Sequence, residues 1–155
     1  MFAISDYTFA PHKVVWTRLA KIEAAVVNSL DGKCVIPQET VTLVECGSSK
    51  EAHYISALIN CAIFQYIAMS YSQAGGKSMG SMHILENIRI TKFDSQNPLH
   101  LKLAELSEKA HYLAAAGQDK ALSDVENEID RLAGELWSLS EDELAEMKKS
   151  LDEIS

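Results

Sequence analysis

The hydrophobic pattern of this chain changes its period within a few residues, at the sequence DSQNP of residues 94–98. Before that point Ile88 and Ile90 alternate with other residues as in a β-strand, and after it leucines recur at helical spacing. Asn97 is a favourable N-cap, and Pro98 suits the first turn of a helix because an N–H there would have no partner. The sequence therefore predicts a sharp joint between a sheet-bearing segment and a helical one.

Four short runs rich in β-branched residues predict strands before this joint: KVVW, EAAVV, KCVIP and VTLVEC. Asp31-Gly32 separates the second and third runs and predicts a tight hairpin turn, since both residue types tolerate positive φ. A long uncharged run predicts one buried central helix from about Glu51 to about Ser70, and its repeated polar residues argue against a membrane span. A glycine-bearing loop, SQAGGKSMGSM, and a strand over residues 84–90 follow.

Two apolar stripes of matching spacing follow the joint and predict an antiparallel pair of helices. The stripes are Leu99, Leu103, Leu106, Ala110 and Leu113 in the first helix, and Leu122, Val125, Ile129, Leu132 and Leu136 in the second. Gly117 is predicted to end the first helix and Asp119 to begin the second. A capping box formed by Ser140 and Glu143 predicts a third helix.

These elements predict an α+β fold. A small mixed β-sheet with one buried central helix is followed by an antiparallel helical hairpin and a short third helix. At 155 residues the chain suits a single domain. We expect residues 1–94 to form the α+β module and residues 95–155 a helical arm, packed together as one structural unit.

The net charge of −8 is distributed unevenly along the chain. Residues 1–94 hold eight Lys and Arg against eight Asp and Glu, whereas residues 95–155 hold six against fourteen. All of the excess negative charge therefore lies in the helical segment. The first segment is neutral, which permits a locally positive face for nucleic acid, while the acidic helices would repel phosphates.

The sequence offers no catalytic or metal-binding motif. Cys34, Cys46 and Cys61 form no CxxC pair and predict reduced, buried thiols of a cytoplasmic protein, and the histidines lack ligand spacing, so no metal is predicted. The GGKS of residues 75–78 resembles a phosphate-binding loop, but Tyr71 occupies its first glycine position and the loop runs from helix to strand. We expect the chain by itself not to be an enzyme.

Polar and basic side chains remain as candidates for nucleic-acid contacts in the predicted loops of the first segment. They are Lys13, Arg18, Lys21, Lys77, Ser78, Ser81, His83, Arg89 and Lys92. Lysine and arginine suit phosphates, and arginine, serine and histidine also reach base edges. Every soluble domain carries such residues, so composition alone favours an ordinary surface.

Three segments together resemble the C-terminal target-recognition domain of adenine-specific DNA methyltransferases, including the fused type IIG restriction-modification enzymes. They are YTFAPHKVVWTRL, EAHYISALINCAIFQYIAMSYS and ILENIRITKFDSQNPLHLKLAELSEKAHYLA, and the resemblance extends from about Tyr7 to Leu139. It implies a specificity domain that binds double-stranded DNA and positions it for a catalytic methyltransferase domain of the same parent protein. The helices would then face protein.

In that family the catalytic domain lies upstream and carries the S-adenosylmethionine site and an Asn-Pro-Pro-Tyr-type motif. Neither is present here, because Asn97-Pro98 is followed by Leu99 and no glycine-rich strand-to-helix turn occurs. We therefore expect no cofactor in this chain, which would be a fragment of the methyltransferase, with S-adenosylmethionine bound upstream. Whether the parent protein also cuts DNA is left open.

The residues that contact bases are not part of the family motif, so they are assigned by chemistry. The glycine-bearing loop is the first candidate, with Lys77, Ser78, Ser81 and His83, because glycine lets backbone approach a duplex closely. Lys13 and Arg18 are candidate phosphate contacts, and Arg89 completes the predicted DNA-binding set. Trp16 is assigned to the core.

A second hypothesis comes from a different class of protein. The paired apolar stripes and the acidic third helix also fit a helical protein-interaction or assembly module without DNA binding, and a homodimer through the arm is compatible with either hypothesis. A self-contained hydrolase or nuclease is a third and weaker alternative.

Overall fold

The computed structural model describes residues 5–17, 22–37, 41–75 and 88–154. A 3₁₀ helix, Asp6–Phe9, precedes three strands: β1 His12–Thr17, β2 Ala24–Asn28 and β3 Val41–Cys46. The α-helices are α1 Ser49–Asn60, α2 Ala62–Gly75, α3 Pro98–Ala115, α4 Asp119–Leu136 and α5 Glu141–Ile154. The α+β class predicted from the sequence is confirmed.

The three strands form one antiparallel sheet in the order β2-β1-β3, in place of the mixed sheet that was predicted. β1 lies in the centre, with Val14 opposite Val26 of β2 and Val44 of β3. Alternation along β1 buries Val14 and Trp16 in the hydrophobic core that the sheet shares with the helices, so the assignment of Trp16 to the core is confirmed.

The run KCVIP is not a strand, and its prediction was wrong. The turn ahead of it forms as expected, with φ of 50° at Asp31 and 73° at Gly32. Leu30 and Lys33 exchange both backbone hydrogen bonds across it, at 3.0 and 2.8 Å, but the pairing stops at this single bridge. Cys34 and the residue after it contact the Lys13 side chain instead of extending a ladder.

The strand predicted over residues 84–90 is not found in the part that the structure describes. Residues 88–94 are irregular, and residues 84–87 lie outside the described ranges. The predicted helix start is confirmed, because the Asn97 side chain accepts a hydrogen bond from the Leu99 N–H at 2.9 Å and Pro98 opens α3.

The central helix is broken at Cys61, so the prediction of one continuous helix was wrong. Cys61 has extended backbone angles, φ −69° and ψ 153°, and α1 and α2 bend by 59° at this break. The Asp130 carboxylate of α4 accepts the Ala62 N–H at 2.7 Å, so it caps the start of α2 and favours the dipole of that helix. A partner 68 residues away in sequence thus stabilises the break.

None of the described helices is by itself long and apolar enough to cross a membrane. Only α1 together with α2 as far as Tyr71 meets that test, and the pair is bent by 59°.

Polar side chains of the long apolar run form hydrogen bonds with the backbone at the β2 edge of the sheet. The Asn60 side chain pairs with the Ala24 backbone of β2, accepting its N–H and donating to its carbonyl, both at 2.8 Å. Ser56 donates to the same carbonyl at 3.3 Å, and Gln65 donates to the carbonyl of Ile22 at 2.8 Å. Side chains of α1 and α2 therefore replace the missing neighbour of an edge strand.

The helical hairpin is confirmed, and it packs against the first segment. Gly117, at φ 65°, and the Gln118 N–H end α3 in a left-handed turn. Both apolar stripes contribute buried side chains to the core, including Leu103 and Leu113 of α3 and Ile129 of α4. The predicted boundary between residues 94 and 95 is crossed by the packing of α3 on α1.

The third helix begins with the predicted capping box and packs on α2. The Ser140 hydroxyl accepts the Glu143 N–H at 3.2 Å, and the Glu143 carboxylate accepts the Ser140 N–H at 2.8 Å. Lys148 of the same helix donates to Asp130 at 2.8 Å. One carboxylate thus joins α2, α4 and α5.

We expect Asp130→Ala to lower the free energy of unfolding by about 1.5–3 kcal/mol, because it removes two charge-assisted bonds and leaves the Ala62 N–H without its cap. Asp124→Ala, at an exposed position of the same helix, is the matched control and should change stability little. Urea denaturation of both variants measures the difference, and equal effects would contradict the role of Asp130.

Two histidines pack together between α1, α3 and β2. The rings of His53 and His111 lie 5.1 Å apart, and His53 Nδ1 lies 3.3 Å from the Ser107 hydroxyl. His111 Nε2 accepts the Val26 N–H of β2 at 3.0 Å. Burial lowers the pKa of His53 below its ordinary 6.5, the neighbouring His111 lowers it further, and Glu108 opposes both.

A lowered histidine pKa predicts a stability that depends on pH. Because the unfolded chain binds a proton at His53 more readily than the folded chain, acidification favours unfolding, and stability falls as pH drops below about 6.5. The free energy of unfolding of His53→Gln should therefore change less between about pH 7.5 and about pH 5.5 than that of the unaltered protein. Parallel pH dependence in the two proteins would contradict this.

Candidate nucleic-acid interface

The irregular segment of residues 88–94 joins the predicted DNA-binding loop to α3 and is anchored to the core by its backbone. The Tyr54 hydroxyl of α1 donates to the Thr91 carbonyl at 3.0 Å, and the Trp137 indole donates to the Arg89 carbonyl at 3.3 Å. The Asp94 N–H donates to His100 Nδ1 at 3.0 Å. Three elements of the fold thus hold a segment that lacks regular hydrogen bonding.

The side chains of this segment are sorted between the core and solvent. Ile88, Ile90 and Phe93 pack against the core, and Phe93 lies 5.5 Å from the Tyr54 ring between centroids. Arg89 and Lys92 are exposed, and neither forms an ion pair with a carboxylate among the described residues. The segment therefore presents two cations outward from an anchored backbone.

A mostly apolar cavity of about 300 Å³ lies beneath this segment. Its lining includes Trp16, Ile55, Phe64, Ile88 and Phe93, with Lys92 among its few polar groups. Trp16 is buried, and its indole N–H has no hydrogen-bond partner within the part of the chain that the structure describes.

The structure describes two of the seven predicted DNA-binding residues. Arg18, Lys77, Ser78, Ser81 and His83 lie outside the described residues. Arg89 is exposed, as a phosphate or base contact requires. Lys13 lies inside β1, not in a loop, and is 1% exposed, with its ammonium donating to Val35 and Cys34. This placement does not favour a phosphate contact by Lys13, because its charged group is buried beside Cys34 and Val35.

The predicted free thiols are present, although Cys34 is only partly buried. Burial raises the pKa of Cys46 to about 11 and that of Cys61 to about 12, so both stay protonated at neutral pH. Among the described residues, no group of three or more His, Cys, Asp and Glu side chains is arranged to hold a metal ion.

Sequence reasoning missed the residues that anchor residues 88–94. Tyr54 and Trp137 lie far from this segment along the chain, and only their placement in the fold brings their donors to its carbonyls. One signal was available, since aromatic residues with a polar group find a hydrogen-bond partner when they are buried.

Searches of protein-family models, curated proteins and solved structures find no significant match to this chain. The resemblance to target-recognition domains therefore remains an expectation from the sequence.

The hydroxyl of Tyr54 should matter for the anchoring of residues 88–94. Burial raises its pKa to about 12, so it stays protonated and donates. Tyr54→Phe is expected to cost about 0.5–1.5 kcal/mol and to speed amide hydrogen exchange in residues 88–94. Tyr112→Phe makes the same chemical change at a position that is 72% exposed and should alter neither measurement. Unchanged exchange in Tyr54→Phe would contradict the anchoring role.

Proposed function

We propose that this chain is a DNA sequence-recognition domain of a restriction-modification adenine methyltransferase of the type IIG kind. It binds double-stranded DNA and positions it for a catalytic domain that this chain does not contain. The chain itself catalyses nothing, and S-adenosylmethionine binds in that other domain. The proposal includes a cytoplasmic location, since restriction-modification acts on intracellular DNA.

The observation that carries the proposal is the outward display of Arg89 and Lys92 from the anchored segment of residues 88–94. Protein groups that contact phosphates fix the register of a protein on the duplex, and an anchored backbone holds them in place. Along the chain this segment comes shortly after the candidates Lys77, Ser78 and Ser81 of the predicted loop and His83, which follows the loop. Six of the candidate residues thus lie within the stretch from Lys77 to Lys92.

The distribution of charge supports the same assignment. The excess acidic residues belong to the helical segment, where exposed carboxylates such as Glu105, Glu126 and Glu146 face solvent. Those surfaces would repel phosphates, so a duplex is directed towards the remaining surface. The acidic helices are left for contacts with protein, which in this proposal is the catalytic domain.

The alternative of an assembly module loses one of its supports. The apolar stripes that favoured it contribute buried side chains to the core of this chain, among them Leu106, Val125 and Leu132. Side chains that are already buried offer no apolar contact to a second molecule. Dimerisation through the arm stays a prediction, and it would have to use other residues.

Binding of duplex DNA that depends on Arg89 and Lys92 tests the proposal. In fluorescence anisotropy with random-sequence duplexes of about 30 base pairs, we expect affinity to fall as salt rises from about 50 to about 200 mM. Arg89→Glu/Lys92→Glu should weaken binding about tenfold or more and reduce the slope against log salt by roughly 2.

Lys109→Glu/Lys120→Glu is the matched control, since it makes the same change of charge at exposed positions of α3 and α4. This control should bind DNA almost as well as the unaltered protein. Equal loss in both double variants, or a salt-independent dimer that does not bind duplex, would overturn the proposal in favour of the assembly module.

A further inference from the structure

The face of the sheet opposite the helices buries a lysine beside a cysteine. Lys13 lies in the central strand with a side chain that alternates away from Val14 and the core, yet it is only 1% exposed. Cys34 and Val35 contact it, and Cys34 also lies against the Thr8 carbonyl of the 3₁₀ helix. The Lys13 Nζ donates to the Val35 carbonyl at 2.9 Å and to Cys34 Sγ at 3.1 Å.

The contact with the Lys13 ammonium places a positive charge next to the Cys34 sulfur. No ion pair among the described residues includes Lys13. Besides Lys13, the hydrogen-bond partners of Cys34 Sγ among the described residues are the carbonyls of Thr8, Ala10 and Val35, at 3.5–3.8 Å. A cationic neighbour and partial exposure are the conditions under which cysteines become reactive.

Cys34 is also the most accessible of the three thiols. It is partly exposed, whereas Cys46 is 8% exposed and Cys61 1%. Burial protects those two from oxidants, because susceptibility follows access and thiolate character. Of the three thiols, Cys34 is therefore the one that is partly exposed, and the Lys13 ammonium already lies 3.1 Å from its sulfur.

We propose that Cys34 and Lys13 form an oxidation-sensitive pair that closes into a covalent sulfur–nitrogen cross-link when the chain meets a peroxide. The proposal does not depend on DNA binding.

The chemistry proceeds in two balanced steps. Peroxide transfers one oxygen to the Cys34 thiol, so that the O–O bond breaks, sulfur is oxidised by two electrons to sulfenic acid, and the other oxygen leaves as water. Lys13 loses one proton to solvent, and its amine then attacks the sulfenic sulfur. The S–O bond breaks as the N–S bond forms, and hydroxide leaves with a second proton from nitrogen as water. The net change is the loss of two hydrogen atoms.

The geometry favours this condensation over further oxidation. The Val35 carbonyl holds Nζ beside the sulfur, so little backbone movement is needed to bring the reacting atoms together. The cross-link would tie β1 to residues 33–37 and remove the positive charge of a buried ammonium. A thiol reductant returns both side chains to their starting forms, so the change is reversible.

Intact-mass spectrometry of the full chain after hydrogen peroxide treatment tests the pair. We expect loss of two hydrogen atoms, peptide mapping that joins Cys34 to Lys13, and reversal of that loss by dithiothreitol. Cys34→Ser should show no loss of two hydrogen atoms under the same conditions. Cys46 and Cys61 should stay unmodified in every folded sample.

Lys13→Arg separates the cross-link from simple oxidation of a cysteine, since it keeps the positive charge while the guanidinium is a poor nucleophile. This variant should lose the cross-link and accumulate Cys34 sulfinic acid, which dithiothreitol does not reverse. Circular dichroism verifies that it is folded, and Lys13→Met serves if it is not. Gain of two oxygens at Cys34 in the unaltered protein, without linkage to Lys13, would overturn the proposal.

Discussion

The pairing of the β2 edge with helix side chains is the interaction on which the arrangement of the two layers depends. A three-stranded sheet has two edges, and an unpaired buried edge costs free energy comparable to the hydrogen bonds it lacks. Asn60 supplies both a donor and an acceptor to Ala24, and so imitates a neighbouring strand. Because Asn60 is the last residue of α1, hydrogen bonds as well as packing fix the position of this helix against the sheet.

Local signals in the sequence predicted the elements whose causes are local. The N-cap at Asn97, the left-handed turn at Gly117 and the capping box at Ser140 and Glu143 each need only residues within one turn, and all three formed as expected. The Asp31-Gly32 turn formed for the same reason. Where a few neighbouring residues determine the conformation, it can be predicted from the sequence alone.

The predictions that were wrong concern features that depend on residues far away in the sequence. The break at Cys61 depends on Asp130, and no periodicity in residues 52–76 signals a cap supplied from another helix. The KCVIP run has strand propensity, but its residues satisfy Lys13 instead of a ladder. The placement of Lys13 was missed because alternation predicts which face a residue occupies and not what covers that face. Two of the anchors of residues 88–94, Tyr54 and Trp137, are also remote in sequence.

The two faces of the sheet are therefore covered in different ways, with different chemical consequences. The inner face carries Val14 and Trp16 and is covered by long helices with a continuous apolar core, where burial suppresses ionisation of thiols such as Cys61. On the outer face the Val35 carbonyl and the Cys34 sulfur accept hydrogen bonds from the Lys13 ammonium, and Cys34 in turn lies against the Thr8 carbonyl of the 3₁₀ helix. Such a cover buries a charge without providing an opposite one, which is costly unless neighbouring polar atoms compensate. We therefore expect chemical reactivity at Cys34, which is only partly buried. We expect the most rigid positions at Asn60 and Asp130, whose side chains form hydrogen bonds to other elements of the fold.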